Sequence, residues 1–140
     1  MIDRLDTFTA SRVANARALL EGLDHVRGVQ TIAPASDSSP VYLRLPVLLS
    51  DVAMRPVVVA ALKAAGIGAS GSYPRSIGDL PELTDVLSTT GEIEGGRYVA
   101  ERVMTLPTHP FVAASDVREA VATIARTLDP HAAVVARGPA

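Results

Sequence analysis

The 140 residues contain no cysteine and no tryptophan, a single lysine, and no apolar run near the length of a membrane span. Without cysteine there is neither a disulfide frame nor a thiolate metal site, which makes the cytoplasm the expected compartment. A spanning helix needs about 20 consecutive apolar residues, and residues 1–25 are too charged for a signal peptide, so no membrane partner is expected. The formal charge of -2 removes the electrostatic drive for nucleic acid, whose binding depends on neutralising phosphates with Lys and Arg. Aromatic residues make up 4%, so the core must be built from interdigitating Val, Leu, Ile and Ala. Against these scarcities stand 48% hydrophobic and 20% charged residues, the balance of a folded globular chain. The length suits one domain, read here as residues 1–130 with a flexible tail over 131–140.

Phe8, Val13, Ala16, Leu20 and Leu23 recur at helical spacing and predict an amphipathic helix over 6–24, capped by Asp6 or Thr7. Residues 28–40, with Pro34, Pro40 and a Ser/Asp cluster, read as a loop holding at most a short strand at 29–32. Alternation over 41–50 predicts a strand with Val41, Leu43, Leu45, Val47 and Leu49 on one face and Tyr42, Arg44, Pro46, Leu48 and Ser50 on the other. Pro46 cannot donate a ladder bond, which implies an edge position or a bulge.

Pro56 and Gly66 bracket a helix over 55–65. Its run from Val57 to Leu62 covers more of the circumference than a three-stranded sheet can bury, which points to another chain or domain over the rest. The glycine-laden 67–73 reads as a short strand ended by Pro74, 79–87 as a brief helix, 88–96 as a flexible link, 98–102 as a short helix, and 103–106 as a strand stopped by Pro107 and Pro110. Ser115 is the expected N-cap of a last helix reaching Leu128, with Val117, Val121, Ile124 and Leu128 on one face and Asp116 and Glu119 complementing its dipole. The expected fold class is α+β, a small sheet of about three mostly antiparallel strands with helices packed on it.

The stretch 66–71 matches G-x-G-x-x-G in reversed context, since a helix precedes it and Ser72-Tyr73-Pro74 follows. A dinucleotide fingerprint needs a helix N-terminus after the glycines, so a helix end followed by a strand is the better reading. Lys63 lies three residues before Gly66, where an ammonium group meets the helix C-terminal dipole, rather than in a desolvated pocket suited to a Schiff base. His25, His109 and His131 have no metal-ligand spacing. His109 reads as a turn residue at a strand end. Arg44 points away from the Leu43 and Leu45 face, and its planar fork suits either an anion or a surface ion pair.

Four segments occur in the order found in the DegT/DnrJ/StrS family: Arg12-Val13-Ala14-Asn15-Ala16, Tyr42-Leu43-Arg44-Leu45-Pro46-Val47, Gly66-Ile67 through Ser72-Tyr73-Pro74, and Arg102-Val103-Met104-Thr105-Leu106-Pro107-Thr108-His109-Pro110. Apart from its tail the chain resembles that family's C-terminal small domain. The family consists of fold-type I enzymes that use pyridoxal phosphate to aminate keto-sugars attached to nucleotides, as dimers with active sites between subunits. The resemblance implies a domain that packs on a large domain and lends side chains to the substrate mouth, with Arg44, Ser72, Tyr73 and Arg75 facing substrate. The family often carries His-Tyr-Pro in that loop, and here Ser72 stands in place of the histidine.

The Schiff-base lysine, the acid on the pyridinium nitrogen and the phosphate cup belong mainly to the family's large domain. No catalytic residue, cofactor or metal is therefore expected on this chain alone, and pyridoxal phosphate is expected in the assembled enzyme. A large PLP-binding domain or chain is the implied partner, with a homo-oligomer as a further state. The alternative is a stand-alone interaction or regulatory module derived from that domain.

Overall fold

The computed structural model describes residues 4–73, 75–83, 85–86 and 94–129. In chain order the elements are helix α1 (Leu5–Leu23), strand β1 (Val29–Thr31), strand β2 (Arg44–Leu49), helix α2 (Met54–Ala64), helix α3 (Glu94–Arg102), strand β3 (Val103–Pro107) and helix α4 (Ala114–Leu128). Two 3-10 turns, Ile77–Asp79 and Pro81–Leu83, lie between α2 and α3. The strands form one antiparallel sheet in the order β1-β2-β3, with Val29 opposite Leu49 and Arg44 opposite Pro107. This is the α+β class that the sequence pattern implies.

Strand alternation divides the sheet into two unlike faces. Leu45, Val47 and Leu49 of β2 and Met104 and Leu106 of β3 share one face and are buried with Ala16, Leu19 and Leu23 of α1, Val58 and Leu62 of α2, and Val117, Ala120 and Ile124 of α4. Almost all of that core is aliphatic, as the scarcity of aromatics requires. The opposite face carries Arg44, Pro46 and Leu48 beside Val103, Thr105 and Pro107. Helix α3 packs on β2, and Leu48, Val103 and Ala100 are buried outside the main cluster. The Arg44 and Thr105 end of this face stays only half-buried.

Several boundaries differ from the pattern-based expectations. Helix α1 starts a residue before Asp6, with Arg4 as N-cap and no side-chain capping bond. Strand β2 begins at Arg44 rather than residue 41, and Val41 and Leu43 are exposed. Tyr42 takes φ of 47°, and the Tyr42 and Leu43 carbonyls accept from the Thr108 hydroxyl instead of a neighbouring strand. Pro46 lies on the central strand, yet its position costs no ladder bond. Both backbone groups of its partner Thr105 are paired with Ser70, so Pro46 and Thr105 form a non-hydrogen-bonded pair. The Pro46 nitrogen therefore faces the β1 side, where β1 has already ended at Thr31 opposite Val47.

The expected strand at 67–73 is reduced to a single bridge between Ser70 and Thr105. Helix α2 ends as its sequence implies: Gly66 at φ of 77° passes its N–H to the Lys63 carbonyl while the Ile67 N–H returns to Leu62, a Schellman closure. Of the apolar run on α2, Val58 and Leu62 are fully buried while Val57 remains 49% exposed.

Within the brief helix expected over 79–87 the structure has the end of one 3-10 turn at Asp79 and a second at Pro81–Leu83; residues 84 and 87 lie outside the described residues, as do 88–93 of the expected link. Helix α3 begins earlier than expected, at Glu94. Ser115 falls inside α4; Ala113 is the N-cap, and its backbone N–H is taken at 2.9 Å by the Asp116 carboxylate. Pro74, Pro130 and the tail 131–140 lie outside the described residues. No helix among the described residues is long and apolar enough to cross a membrane.

Candidate functional site

The polar corner of the sheet is organised by Thr105 on β3. At an open sheet edge its N–H and C=O would lack partners, and Ser70 satisfies both, at 2.8 and 3.1 Å. This bridge draws the chain after α2 across the corner. Arg44, two residues before Thr105's partner Pro46 on β2, donates from Nε to the Thr105 hydroxyl at 2.7 Å and from Nη2 to the carbonyls of Thr105 and Gly68. Burial against these neighbours holds its guanidinium below the ordinary arginine value. The Thr105 hydroxyl lies 3.1 Å from the Ser72 hydroxyl. Ser72 is exposed and has φ of 51°, a left-handed conformation that costs a non-glycine residue about 1 kcal/mol or more.

Arg44 and Ser72 are thus brought together, with Thr105 between them. Tyr73, 65% exposed, and Arg75, also exposed, line an adjoining apolar cleft of about 630 Å³ together with Ile77, Val99 and Ala100. Arg55, in the first turn of α2, ties this region to α3 by donating at 2.6 Å to the Ala100 carbonyl. Its contacts to the carbonyls of Gly71 and Tyr73 are longer, at 3.5 Å each. Beside the cleft, the Asp79 carboxylate accepts from Arg97 at 2.6 Å and from the Ser76 hydroxyl at 2.6 Å. These two bonds, Arg97 foremost, lower its pKa to about 2.

Thr105 and Arg55 were not singled out from the sequence. Strand alternation places Thr105 on the face of Arg44 only once the β2–β3 register is known, and nothing in the sequence supplies that register. Arg55 carries no pattern beyond its place beside Pro56.

The remaining candidates take structural places. Lys63 is exposed in the last turn of α2, at the negative end of the helix dipole. The glycines at 66 and 68 follow helix α2 and lead into an extended segment, so they lack the helix that a dinucleotide fingerprint needs directly after them in the chain. The His109 carbonyl accepts from the Val112 N–H at 2.9 Å and from Asn15 at 3.2 Å, and its ring is tilted against Phe111. His25 is exposed beside Asp24, and His131 lies outside the described residues. Among the described residues no group of three His, Cys, Asp or Glu side chains is placed to hold a metal.

Comparison with solved structures shows the same fold within longer proteins. DesV of S. venezuelae, solved in complex with a ketimine intermediate, superposes with a TM-score of 0.80 at 22% identity, covering 91% of this chain and 34% of that one. The aminotransferase TlmJ from Streptoalloteichus hindustanus gives 0.75 at 23% identity, with 95% and 34% covered. DesI, solved in the presence of its TDP-sugar product, gives 0.77 at 18% identity, with 96% and 35% covered. The chain therefore spans about a third of the length of these structures. A search of curated protein sequences gives no match. The family model described as the DegT/DnrJ/EryC1/StrS aminotransferase family matches residues 1–125, and the chain belongs to that family.

Proposed function

We propose that these residues form the small domain of a pyridoxal-phosphate-dependent aminotransferase acting on a nucleotide-linked keto-sugar. In this reading the Schiff-base lysine, the acid on the pyridinium nitrogen and the phosphate cup come from a large domain, in the same chain or another. The observation that carries the reading is the placement of Lys63, the chain's one lysine, exposed at the C-terminal end of α2 in a chain that belongs to an aminotransferase family. The cofactor supplies the electron sink for transamination; these residues supply substrate contacts and packing. The TDP-sugar product of the similar structure DesI supports the substrate class.

Arg44, Ser72, Tyr73 and Arg75 form the substrate-facing surface in this proposal. The exposed apolar side chains of Val57, Tyr73, Ile77 and Val99 supply area for the large domain and for a dimeric assembly in the cytoplasm, since apolar patches of this kind favour association.

The test has two parts. Adding pyridoxal phosphate to the 140-residue chain should give no lysine-dependent absorption band, and a band abolished by Lys63→Ala would overturn the reading. Co-expression with a lysine-bearing large domain of the same family should give a stable complex with transaminase activity on a nucleotide sugar. A chain that self-associates through α2 and stays inactive with every such domain would be a stand-alone interaction module instead.

A further inference from the structure

The polar corner links a cation to an exposed hydroxyl through side-chain contacts that the family assignment does not supply. An arginine has donors and no acceptor, so at the 2.7 Å contact the Thr105 oxygen must accept from Arg44 Nε. That leaves the Thr105 hydroxyl proton to be placed. Its side-chain hydroxyl partner is Ser72 Oγ at 3.1 Å, a pair in which either hydroxyl can donate. When Thr105 donates, the Ser72 proton is turned away from Thr105 and is free to face the exposed side. The backbone supports the same arrangement. Ser72 is held at φ of 51°, its N–H bonds the Ser70 hydroxyl at 3.2 Å, and Ser70 is itself paired with Thr105. An uncommon backbone conformation persists where its surroundings hold it, and here Ser70 and Thr105 do so.

We propose that Thr105 is a positioning residue that relays the Arg44 guanidinium to Ser72 and presents the Ser72 hydroxyl outward as a hydrogen-bond donor, selecting substrates that offer an acceptor oxygen there. The chain runs from a cation through two hydroxyls, and each bond polarises the next. The acceptor it fits is a sugar hydroxyl or keto oxygen, or a phosphate oxygen. The recognition half of the proposal rests on the small-domain reading above; the relay half does not.

Two measurements separate the halves. In the full 140-residue chain, the Ser72 side-chain rotamer can be read by NMR from its α-to-β proton couplings. The native chain should show one rotamer, Thr105→Val should show averaging, and Thr105→Ser should restore the single rotamer. Backbone shifts elsewhere in β3 should stay in place, because the pairing with Ser70 uses main-chain atoms. A single Ser72 rotamer that survives Thr105→Val overturns the relay whatever the activity.

In the assembled enzyme, with a TDP-sugar as the probe, Thr105→Val should raise KM about fivefold to tenfold, the loss of about one hydrogen bond. The kcat should stay within about twofold, and Thr105→Ser should return KM to the native value. An unchanged KM overturns the recognition role. Failure of the native assembly to turn over any nucleotide sugar overturns the small-domain reading and recognition with it, while the rotamer measurement still decides the relay.

Discussion

Gly22 in α1 offers a test of how closely α1 and α4 approach, because two effects of known sign oppose each other there. A Cβ added at Gly22 would lie 2.7 Å from Val121 Cγ2 and 3.3 Å from Cγ1. Replacing a helical glycine by alanine ordinarily stabilises by up to about 1 kcal/mol. Overpacking a fitted interface costs about 1–3 kcal/mol. Val121 cannot swing aside cheaply, since a β-branched side chain in a helix has one strongly preferred rotamer, and it is packed against the core.

Gly22→Ala should therefore destabilise by about 1 kcal/mol net, lowering Tm by about 3–5 °C for a chain of this size. In a Val121→Ala background the clash is gone and the same change should stabilise by about 0.5–1 kcal/mol. The expected signature is a double-mutant coupling of about 1–2 kcal/mol, read from urea unfolding followed by circular dichroism. If Gly22→Ala raises the urea midpoint in the native background, the helices are not packed as closely as described and the reasoning fails.

Gly66 supplies the contrasting case. No atom lies within 4 Å of an added Cβ there, yet its φ is 77°, so Gly66→Ala should cost about 1 kcal/mol through the backbone alone, and Leu62→Val in the adjoining core should add to it without coupling. A coupling above about 0.5 kcal/mol in the same unfolding assay would show that the cost is packing after all. Asp79 should titrate at about 2 rather than 3.8. A folded-state value below the unfolded one contributes stability above about pH 4 that is lost as pH falls through about 2. A carboxyl-carbon NMR titration should show that midpoint, and Arg97→Ala should move it back up; an unmoved midpoint would remove Arg97 as the main cause.

The sequence showed the long elements because their pattern and their burial are the same fact. In α4, Val117, Val121, Ile124 and Leu128 follow helical spacing and all lie on or against the core. What the pattern could not show is where a ladder stops. Val41 and Leu43 continue the alternation of β2, but alternation reports a face and not a partner, and Thr108 takes the carbonyls that a neighbouring strand would have used. The N-cap of α4 was misplaced for a similar reason. Asp116 reaches back to the Ala113 N–H, the N3 half of a capping box, which sets the N-cap two residues before Ser115 with no N-cap hydroxyl involved. Arg44 and Ser72 were each legible as chemistry-bearing residues, whereas their link through Thr105 needs three segments far apart in sequence and a register set by tertiary pairing.

The same backbone accounting explains why the loop at Ser72 sits where it does. Pro46 has no N–H, and its place in a non-hydrogen-bonded pair turns Thr105's main-chain groups outward. Those groups need a partner, and Ser70 provides it, which fixes the position of the chain two residues later at Ser72. The location of residue 72 therefore follows from main-chain bonds between Ser70 and Thr105, while its hydroxyl is aimed by side chains. Substituting the side chain at this position changes what the corner presents without removing the main-chain bonds that hold the loop. A loop fixed in this way is free to carry the histidine that the family often has or the serine found here.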